Sequence, residues 1–441
     1  MKRQIYKHLL DWKASGQRLP LILRGARQVG KSHIVEMFGK NEFQHCAVAN
    51  FELQPELREC FSRLDPKDIL PKLELYLRTD ITPGLTLLFL DEIQYCPRAL
   101  LALRYFKEKL PELHVIAAGS LLEFILRSRD FSFPVGRVQF AYMYPMSFNE
   151  YLLNNGEQRL GEFLTTVSLD NPVPDSIHQL TLQYVREYML LGGMPAVVNQ
   201  YIQEKSFIKV QALQSSLLQS YENDFGKYGE KININALRTL YRQLPYHIGE
   251  QIKYANVMPD LRAEEVKKLL NQLEWAGIVS RISHSQASGI PLDALVNEKI
   301  FKLLFLDVGL LQRANQVDPI ALLSADMMQI NAGMLAEQFV GQELLAYHPY
   351  FEAGKLYFWK RDKSGSQAEI DFVGIYNNKI IPIEVKAGKT GRLKSLHLFM
   401  QEKDSQIGLR ISQENLNFEN NILTVPFYLV SELPRLLKDL A

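Results

Sequence analysis

Residues 25–32 read GARQVGKS, and this stretch decides the fold of the amino-terminal part of the chain. It matches the pattern GxxxxGK followed by Ser or Thr, whose glycines let the backbone wrap around phosphate oxygens while amide N–H groups supply positive potential. An apolar run at residues 20–23 precedes it and a helical pattern over residues 32–38 follows it, so we expect strand, loop and helix in that order. The predicted nucleotide-binding residues of this loop are Gly25, Ala26, Arg27, Gln28, Val29, Gly30, Lys31 and Ser32.

The chemistry of this pattern assigns roles to the last two residues. The lysine, Lys31, reaches the β- and γ-phosphates of ATP, and the hydroxyl of Ser32 binds Mg²⁺. Residues 87–92, LLFLDE, give the complementary part, because an apolar strand here ends in two carboxylates. Asp91 then faces the Mg²⁺ shell, and Glu92 can polarise the attacking water as a general base. The alternative is an acidic strand end that caps the next helix, which the upstream loop disfavours.

Two further residues are candidates for contact with the γ-phosphate. Ser120 ends a third apolar strand in the stretch AAGS, where its hydroxyl can contact the γ-phosphate or the water. Alternatively, Ser120 is the N-cap of the helix LLEFIL. Arg137 follows Gly136 and can neutralise transition-state charge in cis or in trans, although any of the 50 Lys and Arg residues can fill that role.

A second charged group lies near the carboxyl end. Residues 369–374 read EIDFVG and residues 383–386 read IEVK, which resembles the PD-(D/E)XK nuclease pattern. A two-residue turn at the Asn-Asn pair 377–378, where both residues tolerate positive φ, fixes the register of a hairpin. The expected pairs are Asp371–Glu384, Glu369–Lys386, Ile370–Val385 and Phe372–Ile383. All charged residues then share one face and all apolar residues the other.

Opposed carboxylates repel each other unless a cation lies between them, and Mg²⁺ prefers such oxygens. We therefore predict a metal site at Asp371 and Glu384, to which Glu337 adds a ligand as the nuclease resemblance implies. Lys386 would orient or activate a water, or stabilise the phosphate, so Asp371, Glu384 and Lys386 are the predicted catalytic residues. The alternative is a Glu369–Lys386 salt bridge on a solvated face without metal. Domains of this kind also keep the fold for binding alone.

The sequence pattern divides the chain into four segments. Residues 1–150 alternate apolar strands with helices, which is typical of an α/β domain with a parallel sheet, here a P-loop NTPase sheet. Residues 151–235 show only helical spacing and predict a helical subdomain. Residues 236–312 combine helices with a hairpin, as in a winged helix-turn-helix that contacts nucleic acid or protein, or couples nucleotide state to a neighbour. Residues 327–441 predict a restriction-endonuclease-like α/β domain.

Composition excludes several classes of protein. A formal charge of +1 over 441 residues excludes a wholesale polybasic nucleic-acid binder or membrane-surface protein, though not a local basic site. Cys46, Cys60 and Cys96 have no CxxC spacing, so neither a disulfide framework nor a cysteine-built zinc site is expected. No apolar run approaches the ~18–20 residues of a membrane span, and the amino terminus lacks a signal-peptide core. We expect no membrane association and a cytoplasmic location.

The motifs together resemble a known family. GARQVGKS, FLDEIQ, AAGSLLEF, VGR with YPMSFNEY, and LGGMP are similar to a bacterial and archaeal AAA+-type ATPase family that carries a carboxyl-terminal domain of unknown function with a nuclease-like fold. The resemblance implies ATP and Mg²⁺ as cofactors, a position near the nucleotide base for residues 192–195 and so for Pro195, and a functional Arg137. It also implies relatives among origin-recognition-like and STAND-type signalling ATPases.

Three function classes remain open at this point. The first is an ATP-controlled, metal-dependent nuclease that acts on DNA or RNA. The second is a regulatory switch whose terminal domain only binds nucleic acid or protein. The third is a self-associating ring that remodels DNA or partner complexes.

Overall fold

Five parallel strands form the sheet that carries the predicted phosphate loop. The computed structural model describes residues 1–127, 136–228, 233–317, 332–363, 367–388, 393–438 and 440. The strands are β1 (Leu21–Arg24), β2 (His45–Asn50), β3 (Thr86–Asp91), β4 (His114–Ala118) and β5 (Gln139–Tyr142). Their spatial order is β2-β3-β4-β1-β5, and all neighbours are parallel. Every residue of β3 and β4 is buried, which explains why their sequences are apolar runs without alternation.

In the described part of residues 1–142, five α-helices accompany this sheet. They are α1 (Ile5–Ala14), α2 (Lys31–Glu42), α3 (Pro66–Leu77), α4 (Pro97–Lys109) and α5 (Leu122–Leu126). In α1 the apolar residues Ile5, Leu9 and Trp12 recur at helical spacing and are buried, while Lys7, Leu10 and Asp11 are exposed. The predicted α/β architecture of the amino-terminal part is therefore observed, with the strand, loop and helix in the expected order.

A helical region follows the sheet. Its helices are α6 (Phe148–Asn154), α7 (Gln158–Leu164), α8 (Asp175–Leu191), α9 (Pro195–Glu204), α10 (Phe207–Asn223), α11 (Ile234–Gln243), α12 (Tyr254–Val257), α13 (Ala263–Trp275) and, after a hairpin, α14 (Val308–Ala314). A capping box of Ser147 and Glu150 starts α6. Glu150 also accepts a hydrogen bond from Arg3 Nε at 2.9 Å, which ties the amino terminus to this helix.

Eight strands form a second sheet in the carboxyl-terminal half. They are β6 (Val279–Ser285), β7 (Val296–Phe305), β8 (Leu356–Lys360), β9 (Glu369–Tyr376), β10 (Lys379–Val385), β11 (Gly408–Ser412), β12 (Asn417–Glu419) and β13 (Ile422–Pro426). The order is β12-β13-β11-β10-β9-β8-β6-β7. Its helices are α15 (Ala332–Ala346), α16 (Lys394–Lys403) and α17 (Leu433–Lys438).

The hairpin predicted as the wing of a winged helix is part of this second sheet. β6 pairs with β7 in antiparallel fashion and with β8 in parallel fashion, through Ile282↔Leu356 and the two following pairs. The open edge of a two-stranded hairpin exposes unpaired backbone groups, and β8 satisfies them here. A separate wing is therefore not what the structure has, because this hairpin continues the carboxyl-terminal sheet.

One apolar core joins the helical region to the second sheet. It includes Leu190 of α8, Leu311 of α14, Phe339 of α15 and Leu409 of β11. The amino-terminal sheet packs against two smaller cores of its own. Over the described parts of the chain, none of the helices combines the length and apolar character that a bilayer span needs.

Candidate functional site

The phosphate loop joins β1 to α2 at the carboxyl edge of the first sheet. Its backbone has positive φ at Gly25 (148°), Gln28 (64°) and Gly30 (95°). A Cβ on Gly25 would collide with the carbonyl oxygen of Met143, so only glycine fits there. From outside, Arg3 Nη1 donates to the carbonyl of Val29 at 2.8 Å. The loop thus has the curled backbone that phosphate binding requires, held by contacts from other elements.

Lys31 is folded back onto its own loop. Its Nζ donates to the carbonyl oxygens of Gly25 at 2.9 Å and Ala26 at 2.6 Å, and the residue is 7% exposed. Burial lowers the pKa of Lys31 to about 8, although the charges of Glu92 and Asp91 oppose that shift. An ammonium held at this position is available to phosphate oxygens that bind in the loop.

Ser32 and Asp91 meet beside the loop. The Ser32 hydroxyl donates to Asp91 Oδ1 at 3.0 Å, and Asn50 Nδ2 donates to Oδ2 at 3.0 Å. Burial and, next, the charge of Glu92 raise the pKa of Asp91. A hydroxyl beside a carboxylate is a donor set that suits Mg²⁺, which takes hard oxygens and keeps several waters. Ser32 and Asp91 therefore fit the ion that the pattern implies.

Asn50 is a site residue that the sequence analysis missed. It ends β2 and pairs with Asp91 across the parallel ladder, so two neighbouring strands end in polar side chains at the same edge. A polar residue at the end of an alternating apolar run was the available signal.

Glu92 is held in an unusual conformation between two polar partners. Its φ of 48° is a left-handed value that costs a non-glycine residue about 1–3 kcal/mol, which the surrounding contacts must offset. Gln94 Nε2 donates to Glu92 Oε2 at 2.5 Å, and the Ser120 hydroxyl donates to the same oxygen at 3.4 Å. Ser120 does not cap α5, whose N-cap is Leu121 without a side-chain bond. The N-cap alternative for Ser120 is thus wrong, and Gln94 is a second missed residue.

An ion-pair cluster lies over the loop at Arg27. The Arg27 guanidinium pairs with Asp224, just after α10, and more loosely with Glu52 at 4.0 Å. Lys227 Nζ bridges Glu52 at 3.1 Å and Asp224 at 3.7 Å. From the same side, the Tyr221 hydroxyl donates to the Arg27 carbonyl at 2.7 Å. The end of α10 therefore contacts both the backbone and the side chain of the loop.

Arg137 lies at the opposite edge of the sheet. The ladder pairs Leu21 with Gln139, so Arg137 precedes the amino end of β5, whereas the loop follows the carboxyl end of β1. Its side chain is half exposed and its Nε is 3.1 Å from Glu108 Oε1. The structure contradicts a cis contact between Arg137 and the phosphate loop. A contact in trans stays a prediction.

The predicted hairpin of β9 and β10 has the expected turn and register. Asn377 and Asn378 both have positive φ, at 48° and 59°. The ladder runs from Lys379↔Tyr376 to Ile383↔Phe372, which confirms the pairing of Phe372 with Ile383. Beyond that pair the backbone ladder is replaced, because Asp371 Oδ2 accepts the Val385 N–H at 2.8 Å.

The predicted Glu369–Lys386 pair does not form. Lys386 Nζ donates instead to Glu384 Oε1 at 2.5 Å, and its backbone N–H donates to Ile411 of β11. Lys386 thus continues the pairing of β10 with β11. The ion pair that sequence register suggested is therefore replaced by one between Lys386, just after β10, and Glu384 of β10.

Glu369 pairs with Lys302 of β7, a residue that sequence analysis missed. Lys302 Nζ is 2.5 Å from Glu369 Oε1, 3.2 Å from Glu337 Oε2 and 3.7 Å from Asp371 Oδ1. Burial alone would lower the pKa of Lys302, yet these carboxylates raise it above its usual value. The sequence marked Lys302 only as a lone lysine in the apolar run IFKLLF and did not indicate its partners.

The carboxylates around Lys302 form what we call the carboxylate cluster. Its members are Glu337, Glu369, Asp371 and Glu384. Burial, followed by the charge of Asp371, raises the pKa of Glu337 to about 8 and that of Glu384 to about 7. Among the described residues, no three His, Cys, Asp or Glu side chains are arranged to hold a metal ion. The predicted metal set of Glu337, Asp371 and Glu384 does not fit a metal in this arrangement, since an ammonium lies among the carboxylates.

Comparison with family models assigns the first part of the chain. Residues 17–152 match the model of an AAA domain. This range contains the phosphate site except Pro195 and the residues at the end of α10 that contact Arg27. This amino-terminal part is a P-loop ATPase domain of the AAA type. Residues 182–321 and 332–430 of the ATPase match two domains of unknown function, DUF8612 and DUF4143. A search of curated proteins finds no significant match.

Solved structures similar to this ATPase are distant. A Walker-type ATPase of Pyrococcus abyssi has 15% identity and a TM-score of 0.46, over 71% of this chain and 95% of that one. The ORC1 protein of Aeropyrum pernix in complex with DNA has 11% identity and a TM-score of 0.24, over 73% and 92%. Drosophila ORC bound to DNA has 13% identity and a TM-score of 0.22, over 71% and 85%.

The ATPase domain contacts the second sheet through the turn at residues 192–195. Pro195 lies against the phosphate loop, since a Cβ on Gly30 would be 3.5 Å from Pro195 Cγ. Nearby, the Gly193 N–H donates to Oδ2 of buried Asp307 at 2.6 Å. Asp307 follows the end of β7 and caps α14. A short series of contacts thus joins the nucleotide loop to the strand that carries Lys302.

A cavity of about 560 Å³ lies between the ATPase domain and the second sheet. Gly25, Ala26 and Ser120 line it from the ATPase side, and Trp275 and Tyr357 line it from the other. At its edge the turn after α13 touches the loop, since a Cβ on Gly277 would be 2.9 Å from the Cβ of Ala26. The loop is therefore contacted at Gly30 by Pro195 and at Ala26 by the turn after α13, in addition to the contacts of Arg27.

Proposed function

We propose that the ATPase hydrolyses Mg²⁺-ATP with Lys31, Ser32, Asp91, Glu92 and Ser120. The observation that carries this proposal is that these five side chains, from the start of α2 and from the carboxyl ends of β3 and β4, lie at one edge of the sheet beside the phosphate loop. Ser32 and Asp91 would hold Mg²⁺, which supplies positive charge to the phosphate oxygens. Lys31 exchanges its loop carbonyls for phosphate oxygens.

Glu92 is the proposed general base. Gln94 and Ser120 both donate to its Oε2. They fix one oxygen and leave Oε1 for a water, which is the arrangement that a positioned base needs. The strained backbone of Glu92 supports the same role, because such strain persists where the surroundings impose it.

Calorimetry and phosphate release test this assignment. Lys31→Ala should abolish binding of Mg²⁺-ATP, whereas Glu92→Gln should bind it and stop turnover. The matched control is Glu56→Gln, which changes an exposed carboxylate in the same domain. Normal turnover by Glu92→Gln would refute the base assignment.

We infer that the nucleotide state controls the second sheet, so that the ATPase acts as a switch. The contacts Gly30–Pro195 and Gly193–Asp307 support this function, because any movement of the loop on nucleotide binding acts on the turn and, through Asp307, on β7. This proposal requires residues 192–195 and Asp307 to have two arrangements, one with and one without bound nucleotide.

A nuclease-like activity of the carboxyl-terminal part is the second candidate. The confirmed register of β9 and β10 favours it, because Asp371, Glu384 and Lys386 stand at the ends of adjacent strands. Incubation with Mg²⁺ or Mn²⁺ and mixed DNA and RNA tests it. Cleavage that is lost in Asp371→Ala and Lys386→Ala supports the activity. Absence of cleavage by the wild-type protein under every nucleotide condition refutes it, and only the switch function then stands.

A further inference from the structure

Arg27 carries a charged side chain within the phosphate loop, and carboxylates of the protein itself neutralise that charge. Its guanidinium pairs with Asp224 and, at 4.0 Å, with Glu52. Burial would lower the pKa of Arg27, but the hydrogen bond and charge of Asp224, followed by the charges of Glu52 and Glu92, raise it. Arg27 is therefore a permanent cation within electrostatic reach of Glu92, the proposed base that would face the γ-phosphate.

The loop holds a second cation close to the first. Burial lowers the pKa of Lys31 to about 8, and the charge of Arg27 acts in the same direction. Two cations this close to each other are stabilised by anions beside them. Asp224 and Glu52 supply such anions to Arg27, and the oxygens of a polyphosphate in the loop would supply them to both cations.

We propose that Arg27 distinguishes ATP from ADP, because its guanidinium exchanges the carboxylates of Asp224 and Glu52 for oxygens of the γ-phosphate when ATP binds. The inference deepens the proposed ATPase function and rests on it, since it requires that the loop binds ATP. The planar guanidinium fits phosphate and carboxylate oxygens equally well, so the two anions compete for the same N–H donors. ADP has no γ-phosphate and should leave the pair of Arg27 and Asp224 in place.

The carboxylates that Arg27 would release keep another cation. Lys227 Nζ is 3.1 Å from Glu52 Oε1 and 3.7 Å from Asp224 Oδ1. The side chain of Glu52 is also 36% exposed, so water can solvate it. Withdrawal of Arg27 therefore leaves no unpaired charge in the interior, and the exchange avoids the large cost that such a charge would carry.

The exchange would act on α10. Asp224 directly follows this helix, and in its last turn the Tyr221 hydroxyl donates to the loop backbone at 2.7 Å. Further back on α10, Gln214 Nε2 donates to the carbonyl of Leu191, the last residue of α8, at 3.0 Å. Leu191 immediately precedes the turn at residues 192–195. Release of Asp224 would therefore reach this turn through α10.

Calorimetry on the full chain with Mg²⁺ and either ADP or a non-hydrolysable ATP analogue tests the inference. Arg27→Gln should weaken binding of the ATP analogue by at least about tenfold, because charge-assisted hydrogen bonds are lost, and should leave ADP affinity within about twofold. Arg27→Lys keeps the charge and should recover part of the loss. The control Arg63→Gln, which changes an exposed arginine of the same domain, should bind both nucleotides like the wild-type protein.

Asp224→Asn gives a second test, because it removes the competing carboxylate and leaves the loop itself unchanged. It should bind the ATP analogue about threefold or more tightly than the wild-type protein does, with ADP affinity unchanged. The control Glu204→Gln breaks an exposed ion pair with Lys209 at the end of another helix and should change neither affinity. This variant pair decides the inference if Arg27→Gln fails to fold.

Amide hydrogen exchange at residues 221–228 gives a readout that does not depend on affinity. The ATP analogue should raise exchange there in the wild-type protein, and ADP should not. Equal losses of affinity for both nucleotides in Arg27→Gln, or no loss for either, would overturn the inference. Failure of the wild-type protein to bind either nucleotide would refute the proposed ATPase function, and the inference with it.

Discussion

The carboxylate of Asp307 accepts a hydrogen bond from the backbone N–H of Gly193 at 2.6 Å, across 114 residues of sequence. Its other oxygen accepts the Leu310 N–H at 3.0 Å, so one buried side chain holds both a turn of the ATPase side and the start of α14. Removing one of these bonds changes the contact between the two halves without touching the nucleotide loop itself.

Asp307→Asn should uncouple β7 from the nucleotide. Asn has one acceptor oxygen, so one of the two N–H groups loses its partner, at a cost of about 1–3 kcal/mol of stability. In the wild-type protein we expect Mg²⁺-ATP to change amide hydrogen exchange on β7, and in Asp307→Asn we expect that change to disappear while ATP affinity is kept. Asp260→Asn, at an exposed site, is the control. Equal nucleotide effects on β7 in both variants would rule out this route.

Glu343 should make stability fall as pH rises. Its carboxylate oxygens accept the Phe148 N–H at 3.0 and 3.2 Å, and burial raises the pKa of Glu343 from 4.5 to about 8. Between pH 4.5 and pH 8 the folded state keeps a proton on Glu343 that the unfolded state has released. The contribution of Glu343 to the free energy of unfolding is therefore fully present below about pH 4.5 and is lost towards pH 8.

Glu343→Gln should therefore flatten this pH dependence. We expect the variant to gain about 2 kcal/mol or more relative to the wild-type protein between pH 5 and pH 8, measured by urea unfolding. Glu352→Gln, which changes an exposed carboxylate, should follow the wild-type profile. Parallel profiles for Glu343→Gln and the wild-type protein would contradict the prediction.

Asn50 should support catalysis through Asp91. Asn50→Ala removes the donor to Asp91 Oδ2, so the carboxylate is no longer fixed towards Ser32. Loss of such an orienting partner costs about 10- to 100-fold in metal affinity. We expect the Mg²⁺ concentration for half-maximal ATPase activity to rise by that factor, while Asn41→Ala, at an exposed position, leaves it unchanged. An unaltered Mg²⁺ dependence in Asn50→Ala would show that Asn50 is structural.

We predict that Arg137 acts on another copy of the chain. Arg137→Ala should therefore reduce ATPase activity, and mixing it with inactive Glu92→Gln should restore part of it, because one chain then supplies the base and the other the arginine. The measurement is phosphate release against the mixing ratio, with Arg104→Ala as the control for loss of an exposed arginine that also pairs with Glu108. A mixture no more active than the sum of its parts would leave Arg137 without a catalytic role.

Local patterns in the sequence predicted local structure well. The loop at residues 25–32 was predictable because strand, glycines and helix are consecutive, and the β9–β10 register because a two-residue turn allows little freedom. The placement of Lys302 was not predictable, since Glu337 is 35 residues away and the contact between them depends on how β7 packs on α15.

The hairpin of β6 and β7 illustrates the same limit at the level of whole elements. Two short apolar runs around a loop predicted its two strands, and both are present, but a hairpin sequence does not say which third strand will pair with it. β8, which follows β7 by about fifty residues, does so here. Arg137 failed as a cis residue because the sequence analysis predicted no strand at residues 139–142, and it is this strand, parallel to β1, that puts Arg137 at the amino edge of the sheet.

The interleaving of strands in the eight-stranded sheet also decides which fragments of this chain can be produced. β6 and β7 come before Ala332 and β8 comes after it, so a clone that starts at residue 332 encodes a sheet without its last two strands. The open flank of β8 would then recruit neighbouring molecules, and the acidic groups would have lost their lysine. Such a clone should yield inclusion bodies. A clone that starts ahead of α11 retains both β6 and β7, and with them Lys302.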